Sequence, residues 1–194
     1  MAKTKAKNNA NQLRIIGGKW RGRKLAIADV EGLRPTGDRI RETLFNWLNG
    51  HIVDSQCLDL FSGSGALGME CLSRGAAKVT LVEKNALAAS QLRQHCQQLD
   101  AANGAVIEAD VLTWLAQHSL ATPADIAFID PPFDANLWAS VIDQLETSNT
   151  LSPTAILYIE TPRDHLLSTP AHWTLLKEKQ TGQVCYRLFQ RQNP

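Results

Sequence analysis

No window of this 194-residue chain holds the run of about 20 apolar residues that a membrane span needs. The lysines among its first seven residues are followed by Asn and Gln rather than by an apolar segment, so no secretory leader is expected and the cytoplasm is the expected compartment. Cysteine is scarce. The four cysteines, at 57, 71, 96 and 185, form no Cys-x-x-Cys pair and have no histidine at ligand spacing. That argues against a disulfide framework and against structural zinc, and no metal is expected. Cys57, in an apolar strand, and Cys71, on a helix face, read as small buried hydrophobes. His51, His95, His118, His165 and His172 are scattered without a partner pattern and receive no role.

What is present is a core-forming chain with a lopsided charge. Its 44% apolar content and length suit one domain with an appendage. The net charge of +1 conceals a balance of +8 over residues 1–41 and of −7 over residues 42–194. A basic arm on an acidic body suggests that one end meets a polyanion. Residues 1–12, rich in Lys, Asn and Ala, cannot pack and read as a disordered basic tail. Residues 13–50 are expected to form a basic extension facing that polyanion and residues 51–194 the main domain.

Within the extension, Leu13–Ile16 and Arg23–Ile27 read as short strands joined by the glycine-rich Gly17–Gly22, which predicts a hairpin. Its surface would carry Lys19, Trp20, Arg21, Arg23 and Lys24, cations for phosphate and a ring for stacking. Trp20 has a second reading, that it packs the hairpin onto the body. A helix follows, capped by Asp38, with Ile40, Leu44, Phe45 and Leu48 at helical spacing. Arg34, Arg39 and Arg41 stand on either side of its start and would hold flanking phosphates.

From Gln56 the pattern alternates between strand and helix. Strands are predicted at about 56–61, 78–83, 104–109, 125–130, 154–160, 172–179 and 183–190. Helices are predicted at about 66–73, 85–99, 111–118 and 136–147, with a short one near 163–167. Repeated βα units imply a parallel sheet covered on both faces. The last two strands, separated by Gln180–Gly182, suit an antiparallel hairpin. The class is therefore α/β, a seven-stranded and mostly parallel sheet with an antiparallel final strand, preceded by the basic hairpin and helix.

Two segments carry chemistry. In Leu58-Asp59-Leu60-Phe61-Ser62-Gly63-Ser64-Gly65-Ala66-Leu67-Gly68 a strand runs into a tight glycine turn and a helix, and Glu83 follows Gly63 by twenty residues. The glycines spell G-x-G-x-x-G, which also suits a dinucleotide. Asp59 argues against that, because a carboxylate repels pyrophosphate and attracts the ammonium and sulfonium of S-adenosylmethionine. Glu83 would accept from the ribose hydroxyls. Asp110 would accept from the adenine amine with Val111 as an apolar wall, although Asp110 also suits a helix N-cap. The second segment is Asp130-Pro131-Pro132-Phe133. Asp130 and the Pro131 carbonyl can each accept one N–H of a planar amine and free its lone pair. Consecutive prolines hold that carbonyl stiffly, and Phe133 offers a stacking face. Read alone, Asp-Pro-Pro can equally end a strand.

The order of glycine turn, ribose acid, Asp-Val and Asp-Pro-Pro-Phe resembles the Rossmann-like class I methyltransferases that modify exocyclic amines. Arg14-Ile-Ile-Gly-Gly-Lys-Trp-Arg-Gly-Arg-Lys-Leu25 and Leu33-Arg-Pro-Thr-Gly-Asp-Arg-Ile-Arg-Glu-Thr-Leu-Phe-Asn-Trp-Leu48 further resemble the RsmD family, over about residues 13–190. The resemblance implies methyl transfer from S-adenosylmethionine to N2 of one guanine in 16S ribosomal RNA, on an assembled or partly assembled small subunit. It implies a cofactor site of Asp59, Phe61, Gly63, Gly65, Glu83, Asp110 and Val111, catalysis by Asp130, Pro131 and Phe133, and a monomeric enzyme. Three other readings stay open: adenine-N6 methylation of DNA, an NAD-dependent oxidoreductase, and a non-catalytic RNA-binding assembly factor.

Overall fold

The computed structural model describes residues 12–28, 30, 37–118 and 120–192. The hairpin forms first, with β1 (Gln12–Arg14) antiparallel to β2 (Lys24–Ala26) as a separate two-stranded sheet. Leu13 faces Leu25 on its buried side and Arg14 faces Lys24 on its exposed side, the alternation of a half-buried strand. Gln12 is thus part of β1; the remainder of the expected tail, residues 1–11, lies outside the described residues, as does Arg34.

Helix α1 (Asp38–Trp47) buries Ile40, Leu44 and Phe45 at the predicted spacing. Asp38 is its first residue rather than its cap, a position held by Gly37. The reason is charge: the Asp38 carboxylate is drawn onto the Arg41 guanidinium one turn on. It still places an acid in the first turn, where the helix dipole favours one.

The main sheet has the order β5-β4-β3-β6-β7-β9-β8. Its strands are β3 (Gln56–Asp59), β4 (Lys78–Glu83), β5 (Gly104–Glu108), β6 (Ala124–Ile129), β7 (Leu151–Pro162), β8 (Trp173–Thr181) and β9 (Val184–Arg191). The first five pair in parallel, while β9 enters between β7 and β8, antiparallel to both. Helices α2 (Gly68–Ser73), α3 (Ala86–Gln98), α4 (Val111–Gln117) and α5 (Trp138–Thr147) make the crossovers. Asn85 caps α3, its side chain accepting from Leu87 and Ala88 at 3.0 and 3.1 Å. The predicted helix near 163–167 is absent. There β7 continues extended to Pro162, and Arg163 N–H donates across to Gln183 at 2.8 Å, so the chain turns instead of coiling. Helix α5 likewise begins two residues later than predicted, since Asn136 at φ 49° separates it from a 3-10 turn over Phe133–Ala135.

Two apolar clusters cover the two faces of the sheet. One gathers α1, α2, α3 and the hairpin over Phe128, Tyr158 and Tyr186; the other gathers α4 and α5 over Leu58, Ala127 and Leu157. Residues 13–50 therefore share a core with the main domain. The seam is polar as well. Ile16 N–H donates to Glu70 at 2.9 Å, Lys19 N–H to the Ser73 carbonyl at 2.7 Å, and the Ser73 hydroxyl to the Gly17 carbonyl at 2.6 Å. Gly18 sits at φ 73°, where a Cβ would lie 1.9 Å from the Ser73 carbonyl oxygen, so only glycine allows this approach.

Candidate functional site

Parallel strands deliver their carboxyl ends to one edge, and here that edge collects acids. Asp59 ends β3, Glu83 ends β4, Asp110 follows β5 and Asp130 follows β6. The chain moves outward from β3 to β5 and then returns to β6 on the other side of β3. Such a switch point leaves a crevice between adjacent strand ends, the usual place for a ligand on an open α/β sheet.

The glycine turn stands over this point and is held by backbone contacts. Ser62 N–H donates to Val82 O at 3.0 Å, and Gly63 and Gly65 take φ values of 49° and 81°. A Cβ on Gly65 would meet Leu92 at 2.6 Å. Glu83 braces the turn, one oxygen accepting from Gly63 N–H and the other from Asn85 N–H, each at 2.7 Å. A carboxylate oxygen has two lone pairs, so each retains one for a hydroxyl.

The surroundings of three expected cofactor residues add detail. Asp59 is not laid open to a ligand. It is 3% exposed, turned beneath the loop so that Oδ2 accepts from Gly68 N–H at 2.9 Å at the start of α2. Burial, with the Glu83 charge adding to it and the Gly68 bond opposing it, pushes its pKa up to about 7. Asp110 does cap α4, accepting from Thr113 N–H at 3.2 Å, and Lys84 lies 3.2 Å from its other oxygen. The Thr113 bond foremost, then Lys84, holds its carboxyl below the usual range. Val111 opens α4 and joins Trp114 and Leu115 in the second apolar cluster, because residues three and four apart share a helix face. Its side chain is spent in the core rather than presented as a wall. Phe61 is half-buried against the same cluster.

The second segment lies one strand over. Asp59 pairs in register with Phe128, which sets Asp130 two residues further along the neighbouring strand. Asp130 is half-buried, and its charge, after burial and the Glu160 charge, helps push the Tyr158 phenol above its ordinary pKa. Pro131 is buried. The Pro132 carbonyl accepts from Ala135 N–H at 3.0 Å and closes the 3-10 turn, so the carbonyl consumed in building the loop is not the one expected to grip an amine. Phe133 is 38% exposed, its ring 6.0 Å from that of Trp138. Trp138 is fixed in turn, Nε1 donating to Glu160 O at 2.8 Å.

On the extension, Lys19, Arg21, Arg23, Lys24 and Arg39 are all exposed. Trp20 is not. It is 9% exposed inside the first apolar cluster, its N–H donating to the Ser73 hydroxyl at 3.0 Å, with Lys19 Nζ 4.2 Å from the ring centroid. Its packing role is the one the structure has, and a ring so covered offers no face to a base. Arg41 is likewise buried, 1% exposed, donating to the Arg14 carbonyl at 3.0 Å and lying 4.0 Å from Glu70. It ties the hairpin to α1 and α2 and is withdrawn from phosphate. Sequence reasoning missed Arg14, which the hairpin register sets beside Lys24 on the exposed face. The alternation Leu13-Arg14-Ile15 held that signal. Like charges directly opposite each other cost stability unless an anion sits between them.

Among the described residues no group of three or more His, Cys, Asp or Glu could hold a metal ion, and no helix is long and apolar enough to cross a membrane.

The family described as Conserved hypothetical protein 95 matches residues 13–190. Ribosomal RNA small subunit methyltransferase D of Escherichia coli (strain K12) is 50% identical over 186 residues, covering 95% of this chain and 93% of the relative. Its namesake in Haemophilus influenzae is 49% identical over 192 residues, covering 98% and 100%. Among solved structures, a putative methyltransferase from Escherichia coli superposes with a TM-score of 0.86 at 48% identity, covering 94% of this chain and 99% of that one. A putative methyltransferase complexed with SAH shares the fold, with a TM-score of 0.72 at 17% identity over 97% of this chain and 58% of its own. The expected Rossmann-like methyltransferase fold is therefore borne out.

Proposed function

The chain belongs to the family of the small-subunit ribosomal RNA methyltransferases D, and from that premise we propose that it methylates the exocyclic N2 of a guanine in 16S ribosomal RNA. The substrate in this reading is an assembled or partly assembled small subunit, and the enzyme acts as a monomer. One observation carries the chemistry: the glycine turn with its braced Glu83 and the Asp-Pro-Pro-Phe segment stand at the carboxyl ends of adjacent strands. A methyl donor over the first and an amine in the second would face each other across the switch point.

The donor set suits S-adenosylmethionine. Glu83 keeps lone pairs for ribose hydroxyls, Asp59 and Glu83 give a negative field for an ammonium and a sulfonium, and the glycines allow close approach. When bound, the cofactor supplies a methyl group already activated on sulfur, which leaves as a neutral thioether. The protein's own task is then positioning and electrostatics. Asp130 and the Pro131 carbonyl accept the two N–H groups of the guanine amine, turning its lone pair toward the methyl carbon. Phe133, backed by Trp138, holds the ring. As the N–C bond forms the nitrogen becomes cationic beside Asp130, and its surplus proton passes to water. The exposed cations Lys19, Arg21, Arg23, Lys24 and Arg39, with Arg14, would hold the flanking phosphates, and Arg34 belongs to the same basic stretch of sequence.

Mass spectrometry of ribosomal RNA nucleosides from cells lacking this chain tests the reading, with loss of one N2-methylguanosine expected. An unchanged nucleoside profile would refute it. Incubating DNA and small subunits in parallel with labelled cofactor separates it from adenine-N6 methylation of DNA.

A further inference from the structure

The loop that leaves β7 emerges at the same edge as the amine clamp, because β6 and β7 are parallel and Ile129 pairs with Ile159. This loop is anchored. Arg163 N–H donates to Gln183 O at 2.8 Å, and His165 N–H to Pro162 O at 3.1 Å. The His165 ring lies 4.3 Å from that of Trp138, whose other aromatic neighbour is Phe133. On the far side Leu167 packs against the second apolar cluster. Between these two packed residues Leu166 is 95% exposed, more than any other large apolar side chain among the described residues.

A single exposed leucine is ordinary. One that directly follows an anchored turn, set between His165, whose ring meets the ring that backs a base clamp, and the packed Leu167, is a different object. Its two neighbours are already fixed, and burying its side chain elsewhere removes apolar surface from water. A base taken out of a stack leaves a gap that is costly to open, and proteins that distort nucleic acids fill such gaps with leucine, isoleucine, methionine or phenylalanine. We propose that Leu166 is the wedge that enters the RNA stack in place of the target base and holds that base out toward Asp130 and Phe133. The assignment rests on the ribosomal RNA reading above. His165 and Trp138 act as its mount, tying the wedge to the clamp through two tilted ring contacts, at 43° and 48° between planes.

The test uses small subunits purified from cells lacking this chain, tritium-labelled S-adenosylmethionine and saturating enzyme. Leu166→Ala is expected to slow single-turnover methyl transfer at least tenfold, with Leu166→Met restoring most of the rate. Cofactor affinity and the thermal midpoint should not move, because the side chain touches almost nothing in the free protein. Full-rate transfer by Leu166→Ala would overturn the wedge. So would a rise in KM with the saturated rate intact, which would make Leu166 a docking contact on the particle surface. Wild-type enzyme inert on these particles would refute the ribosomal RNA reading itself, and the wedge with it; active wild-type enzyme beside an unimpaired variant refutes the wedge alone.

Discussion

The acidic edge of the sheet and the basic hairpin are built in opposite ways. At the edge the charged groups are buried or half-buried and committed to backbone: Asp59 to Gly68, Glu83 to Gly63 and Asn85, Asp110 to Thr113. On the hairpin the order is reversed, with the apolar underside and the backbone committed to α2 while the cations are left to solvent. Fixed charges in a sheltered place act at short range and set geometry. Free charges in water act over about a Debye length, 10 Å at 0.1 M salt, and set encounter. Substitutions at the edge should therefore change the rate of a bound complex, and substitutions on the hairpin its formation.

The comparison breaks first at Asp130. Asp130→Ala should lower single-turnover transfer at least about 10³-fold, the upper scale for losing one preorganised partner of a reacting group. Calorimetry should find cofactor affinity unchanged within a factor of two. Equal turnover would remove Asp130 from the clamp. Next is the seam, where the hairpin owes its position to a buried charge. Glu70→Ala strips Arg74 of its 2.7 Å partner and Ile16 N–H of its acceptor, and leaves the Arg41 guanidinium, 1% exposed, with Asp38 as its one remaining carboxylate among the described residues. Removing one member of a buried ion pair costs about 3–5 kcal/mol, to be read as a lower denaturant midpoint. A loss under 1 kcal/mol would mean that apolar packing alone seats the extension.

How far the sequence disclosed these regions follows from the range of the contacts. The five parallel strands were legible because buried parallel strands are largely apolar, the last two because Gln180–Gly182 breaks them as a hairpin, and the site because an acid stands at or just past the end of each of the first four parallel strands. Short-range competition was less legible: Asp38 looked like a cap until Arg41, three residues on, claimed its carboxylate. Least legible was whatever depends on distant partners. Trp20 and Arg41 look like surface groups in a basic segment, and only contacts with Ser73 and Glu70, residues far along the chain, withdraw them from solvent. Leu166 gave no signal, since exposure is invisible in a leucine.

A finer test concerns Asp59. In the free protein its pKa is raised to about 7 by burial, with the Glu83 charge adding to the push, and Cys71 lies near enough to feel its charge in turn. A carboxyl whose folded pKa exceeds its unfolded value of about 4 holds its proton more tightly when folded. That contribution to stability is present below pH 4 and is lost as pH rises toward 7. A cationic ligand reverses the preference by favouring the carboxylate. Cofactor affinity should therefore rise by up to tenfold per pH unit from about 5.5 to 7, with proton release visible as a dependence of the calorimetric heat on the buffer. Asp59→Asn should flatten both trends. A wild-type profile flat below pH 7 would separate Asp59 from the cofactor's charge.

The smallest effect belongs to the hairpin, and it tests the contrast most directly. Arg21 and Arg23 are exposed and stand on a turn whose backbone is fixed by Gly18 and Ser73 rather than by the arginines themselves. Replacing each with Gln should leave the fold, the cofactor site and the saturated rate untouched. What should change is the dependence of subunit binding on salt. Each phosphate contact releases about one counterion, so the slope of log affinity against log salt should flatten by about one unit per lost contact. The double variant should thus bind several-fold more weakly at low salt and converge on wild type as salt rises, while the single-turnover rate on bound particles stays the same. If the rate fell along with affinity, the hairpin would be part of the geometry of the reacting complex, and the division between a fixed edge and a free surface would not hold. If neither slope nor rate changed, the phosphates would meet the protein elsewhere, with the Arg14 and Lys24 face of the same hairpin the next surface to substitute.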